Sequence, residues 1–130
     1  MSIFNAPEKR FYRIYITRKI KEGREDVLPA KLSFNLMVGL IAHELAHICD
    51  YLQKSAIDTI QTGILYALNA YKKKLEKRID SITVQHGLGP QLLNFAEHII
   101  KLQKSHPDDS YYQDYFDFYL TPEEIKEQMK

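Results

Sequence analysis

From Phe34 to Leu52 the chain is apolar at most positions, and Leu36, Met37, Val38, Leu40, Ile41, Leu45, Ile48 and Tyr51 surround the axis of any helix built there. A segment that is apolar nearly all round predicts a central, buried helix, and Ser33 or Asn35 can cap its start. A second pattern follows, in which Ile57, Ile60, Ile64, Leu68, Tyr71, Leu75, Ile79 and Ile82 recur at helical spacing. It predicts a long amphipathic helix, broken near Asn69 and ending at His86-Gly87. Pro90, after Gly89, suits the first position of a third helix reaching about Lys104, with Pro107 behind it as a stop. Thr121-Pro122-Glu123-Glu124 is a capping signature for a short last helix. Residues 108 to 119 are acidic and aromatic, without a clear period.

Near the N-terminus the pattern changes. Residues 11 to 17 (FYRIYIT) are aromatic and β-branched, alternating with arginine and threonine, which predicts a strand. Charged residues around Gly23 suggest a turn, and residues 27 to 32 offer a second short strand. Pro29 cannot donate a ladder hydrogen bond, so that strand belongs at a sheet edge. The expected class is α+β, mostly helical: the helix over residues 34–52 and a long second helix packed on a small antiparallel sheet.

Composition narrows the setting more than the fold. A chain of 130 residues is long enough for one domain with a single modest core, so residues 1–130 are read as one unit. The formal charge of +1 gives no overall pull toward nucleic acid or a membrane surface. Lys72, Lys73 and Lys74, with Lys77 and Arg78, are interrupted by Glu76 and read as a solvated helix face. Cys49 is the only cysteine, which excludes an intrachain disulfide and suits a reducing compartment. No apolar core of signal-peptide length occurs at the start. The longest strongly apolar run, residues 36 to 42, is too short to span a bilayer. The expectation is a cytoplasmic protein without a membrane span or a nucleic-acid partner.

The chemistry concentrates in residues 41 to 49, IAHELAHIC. On a helix His43 and His47 stand one turn apart on the same face, with Glu44 about 100° round from His43. This is the H-E-x-x-H arrangement, in which two imidazoles grip zinc and the carboxylate reaches the water that the metal activates. Zinc lowers that water's pKa to about 7, so a neighbouring carboxylate can take its proton as it attacks a carbonyl. An ordinary helix face with satisfied histidines is the plain alternative. Two histidines and a glutamate in one buried stripe argue against it, because each unpaired buried polar group costs ~1–3 kcal/mol. Gly39 lies on the same stripe and leaves either room for a metal or substrate or a close helix contact. Asp50 sits near the helix C-terminus, where negative charge is disfavoured, and so needs a partner, either a basic side chain or a ring nitrogen of a ligand histidine.

A hydrolytic zinc site takes three protein ligands and keeps one position open. The metzincin spacing would put a ligand at position 53 and glycine at position 50, where this chain has Gln53 and Asp50, so that class is disfavoured. Glu76 and Asp80 are four apart on one face of the second helix, a spacing at which like charges repel. Either Lys72, Lys73 and Lys77 neutralise them at the surface, or Glu76 holds a cation while Asp80 accepts a hydrogen bond from a ligand histidine.

HELAH followed by EKRID resembles the gluzincin metallopeptidases, specifically the branch of CAAX prenyl proteases and bacterial membrane heat-shock proteases, and their small soluble relatives, the minigluzincins. The resemblance covers roughly residues 34 to 93, including HGLGPQLL. It implies His43, His47 and Glu76 as zinc ligands, Glu44 as general base and Asp80 behind a ligand. The membrane helices of the larger relatives are absent. The group that would stabilise a tetrahedral oxyanion is not identified; His86, His98, His106 and several tyrosines are candidates. The expected function is a zinc-dependent peptidase acting on a peptide or protein substrate, which could add as a strand along residues 27 to 32. A catalytically weak or latent zinc-binding interaction domain is the alternative. In a latent form the tail after Pro107 would plug the cleft; otherwise that tail is an ordinary cover over the core.

Overall fold

The computed structural model describes residues 6–19 and 22–130. Its main elements are α1 (Phe34–Leu52), α2 (Ala56–Leu65), α3 (Asn69–Thr83) and α4 (Gly89–Ser105), followed by the one-turn helices α5 (Ser110–Gln113) and α6 (Tyr115–Phe118) and by α7 (Pro122–Gln128). The central helix α1 lies between α4 and α3. On the α4 side, Leu36, Met37 and Leu40 pack against Phe95, Ile99 and Leu102. On the α3 side, Ala46 meets Leu75 and Ile79.

Gly39 explains how closely α1 and α4 approach. A Cβ at this position would stand 2.4 Å from the carbonyl oxygen of Gln91, well inside van der Waals contact. Of the two readings of this glycine, the structure adopts the close helix contact.

The expected antiparallel sheet is not found: no strand occurs among the described residues. Residues 11–17 adopt no regular structure and form no ladder among the described residues, and Phe11 and Tyr15 are 84% and 85% exposed. The second expected strand folds instead as two 3-10 turns, Glu25–Val27 and Pro29–Lys31. Pro29 opens the second turn, where its fixed φ fits and no N–H is required. Val27 and Leu32 still bury themselves, but against Phe95, Ile99 and Leu102 of α4. Strand preference expresses the fit of side chains to a half-buried pleated surface, and here helices supply the apolar surface.

The long second helix breaks where expected. α2 ends at Leu65, and α3 starts at Asn69. A wide turn over Val84–Leu88 then bends the chain into α4, with Gly87 at φ 81°, a conformation that favours glycine. The last helix is capped as its signature predicts, Thr121 accepting from the Glu124 N–H and Glu124 from the Thr121 N–H. The aperiodic stretch before it belongs to the core rather than lying loosely over it. Tyr112 is wholly buried beside Ile99, and Leu120 and Ile125 pack with Leu92 and Ala96. The Arg10 guanidinium donates to the carbonyls of Tyr51 and Lys54 at the end of α1, which ties the N-terminal segment to that helix. No described helix is long and apolar enough to cross a membrane.

Two glycines give a matched test of the packing. Gly39→Ala forces α1 from α4 and is expected to destabilise the fold by about 1–3 kcal/mol. At Gly63, inside α2, an added Cβ meets nothing within 4 Å, so Gly63→Ala should be neutral or gain up to about 1 kcal/mol from helix propensity. Denaturant unfolding of the two variants beside the parent checks the contrast.

Candidate metal centre

Two pairs of residues spaced four apart, on facing helices, make the site. His43 and His47 project from one face of α1, and Glu76 and Asp80 from one face of α3. Ala46, Leu75 and Ile79 form the apolar contact that brings the faces together. Glu76 Oε2 stands 3.1 Å from His43 Nε2 and 3.3 Å from His47 Nε2. Asp80 Oδ1 lies 2.7 Å from His43 Nδ1. Each carboxylate uses its second oxygen as well: Tyr66 Oη donates to Glu76 Oε1 at 2.7 Å, and the Leu120 N–H donates to Asp80 Oδ2 at 2.9 Å. Glu76 and Asp80 are each only 2% exposed.

Aromatic rings wall the histidines. His43 and His47 meet edge to face with ring centres 5.0 Å apart, Tyr119 abuts His43 at 5.6 Å, and Tyr51 stacks on His47 at 6.4 Å. Glu44, one residue on from His43, borders two cavities. The larger, about 560 Å³, is lined by Glu44, His47, Tyr51, Tyr66 and residues 12–15. The smaller, about 170 Å³, lies on the other side of Glu44 among His43, Leu40, Leu92, Phe95, Tyr115 and Tyr119. Glu44 makes no hydrogen bond or ion pair among the described residues.

Burial and pairing shape the ionisation of the cluster. For His43 burial works most strongly against the charged ring, but hydrogen bonds to Asp80 and Glu76 outweigh it and raise the pKa to about 9. For Glu76 burial favours the neutral acid, yet the bonds from His43, His47 and Tyr66 prevail and hold it well below the usual carboxylate range. Burial and the bond to Glu76 raise the Tyr66 phenol, so it remains a donor. Burial, with Glu76 nearby, likewise raises Tyr119.

The donor set fits zinc. Ligand atoms bound at ~2.0–2.2 Å in a tetrahedron stand roughly 3.3–3.5 Å apart, and both imidazole contacts of Glu76 Oε2, at 3.1 and 3.3 Å, are close to that edge length. One donor atom from each of His43, His47 and Glu76 lies within 4.8 Å of the others. Asp80 accepts from Nδ1 of His43 and so turns the lone pair of Nε2 toward the other two donors, the usual outer support of a ligand histidine.

The sequence-predicted residues His43, His47, Glu76 and Asp80 come together, with Glu44 beside them. Asp50 does not join them. It is buried in ion pairs with Lys54 and, at 2.6 Å, Arg78, which is the basic-partner alternative rather than a bond to a ligand histidine. His86, His98 and His106 each bond a backbone carbonyl, of Ile82, Asp26 and Leu102 respectively, and none lines either cavity. Tyr66, Tyr51 and Tyr119 were not singled out by spacing: Tyr66 lies across a helix break from Glu76, and Tyr119 lies in the aperiodic tail. Compared with known proteins, the chain matches no family model, no curated protein and no solved structure.

The ionisation predicts a pH dependence for metal-stripped protein. A histidine with its pKa raised from 6.5 to about 9 contributes stability that is complete below about 6.5. That contribution fades as pH rises through about 9. The thermal midpoint of chelator-treated protein should therefore fall over this interval, by an amount equivalent to on the order of 3 kcal/mol. A flat profile would mean that His43 carries no extra proton.

Proposed function

We propose that this chain is a small zinc-dependent peptidase, with His43, His47 and Glu76 holding the metal and Glu44 as general base. The observation that carries the reading is the convergence of two imidazole nitrogens on one carboxylate oxygen at 3.1 and 3.3 Å, all three donors lying within 4.8 Å of one another, beside a glutamate that lines two cavities. The sequence resemblance to gluzincins supports it. Zinc in such a site supplies Lewis acidity, polarising a carbonyl and lowering the pKa of water.

The residues of the chain supply the rest. The cleft of about 560 Å³ runs between α1 and residues 12–15, which form no ladder among the described residues and whose backbone would offer hydrogen bonds to an extended peptide. The smaller cavity, walled by Leu40, Leu92, Phe95, Tyr115 and Tyr119, accepts one apolar side chain next to the bond to be cut. Glu44 takes a proton from the attacking water and returns it to the departing amine, a role typically worth 10²–10⁴ in rate. Asp80 holds the His43 ring in place throughout. The lone Cys49, a free thiol, suits action in a reducing compartment such as the cytoplasm.

The second reading is a zinc-bearing interaction domain that cleaves poorly. It draws on the placement of His86, His98 and His106 away from the cavities, which leaves tyrosines as the remaining candidates for stabilising an oxyanion. Losing such a donor typically costs ~10²–10³ in rate.

Glu44→Gln separates these readings. The variant is expected to retain stoichiometric zinc while its cleavage of a peptide library falls at least about 100-fold. Parent protein that holds zinc and cuts nothing would favour the interaction domain. Glu76→Ala should lose zinc on gel filtration, read by elemental analysis; retention would displace Glu76 from the ligand set.

A further inference from the structure

Glu76 divides its two oxygens between different tasks. Oε2 faces both imidazoles, at 3.1 and 3.3 Å, whereas Oε1 accepts the phenolic proton of Tyr66 at 2.7 Å. An unrestrained carboxylate beside a metal can close down on it with both oxygens, and the second oxygen then fills the corner that a hydrolytic site keeps for water. Tyr66 stands at the end of α2, with Lys72 Nζ 5.1 Å from its ring centre, while Glu76 is on α3. The hydroxyl therefore reaches the carboxylate from outside α3, at the oxygen that the histidines do not use.

Resting on the peptidase reading, we propose that Tyr66 is a positioning residue: its hydroxyl occupies Glu76 Oε1, confines Glu76 to one-oxygen ligation and thereby keeps the fourth corner of the metal open. Its phenolic proton is committed to Glu76, so in this arrangement Tyr66 is not the donor for an oxyanion, although it lines the larger cavity.

Cobalt(II) in place of zinc makes the coordination number visible. The parent protein loaded with cobalt should give the intense visible bands of a four-coordinate ion. Tyr66→Phe should give the weaker bands of a five-coordinate ion, because Oε1 is released to the metal. Its zinc dissociation constant should also rise 10–100-fold, the usual effect of losing an outer partner of a ligand. Tyr66 is 39% exposed, so loss of its hydroxyl spares the core; Tyr66→Met, also without a hydroxyl, gives the same comparison should the phenylalanine variant fold poorly. Unchanged bands and affinity in a folded variant would overturn the role of Tyr66 while leaving the metal centre intact. Failure of the parent to take up cobalt at all would instead overturn the metal centre, and this inference with it.

Discussion

Two carboxylates that are almost wholly out of water, Glu76 and Asp80, set the terms for the rest of the structure. Charges buried this deeply are tolerated only when paired and hydrogen-bonded, and every oxygen of the pair has a partner: His43, His47, Tyr66 or the Leu120 N–H. Those partners come from α1, from the end of α2 and from the approach to α7. The cluster therefore does more than gather donor atoms. It specifies how α1 and α3 face one another, because sliding either helix by a turn would strand a charge. The Ala46, Leu75 and Ile79 contact supplies apolar burial, while the polar set supplies register.

The parts of this arrangement that were legible in the sequence are those governed by local period. The i, i+4 spacing of His43 with His47 and of Glu76 with Asp80 survives any tertiary detail, provided each segment is helical. The caps at Thr121 and the breaks near Asn69 and Gly87 are likewise local. What failed was the sheet. FYRIYIT has strand chemistry, but a strand exists only through a partner, and none of the described residues provides one. Pro29 suits an edge strand, yet its fixed φ equally suits the start of a 3-10 turn, and Val27 and Leu32 bury themselves against α4 in that form. Tyr66, Tyr119 and Leu120 act on the cluster across helix breaks and through a backbone N–H, relations that no periodicity encodes.

Asp50 shows the limit of arguing from a stripe. It shares the helix face of His47, one turn back, and His43, two turns back, and its position near a helix C-terminus demands compensation. Lys54, one turn later on the same helix, and Arg78 on α3 provide that compensation directly. The nearest cations won over the more distant imidazoles. Gly39 resolved in the same manner, since the approach of α4 consumes the space that a missing side chain leaves.

The bond from the Leu120 N–H to Asp80 has a consequence for biosynthesis. The carboxylate that orients His43 is itself held by a backbone group forty positions later in the chain. During synthesis α1 and α3 can therefore pack before that group has emerged, while Asp80 lacks one of its supports. The brace is added only once the segment leading into α7 docks, so products truncated before Leu120 would carry all of the side-chain donors of the cluster without it.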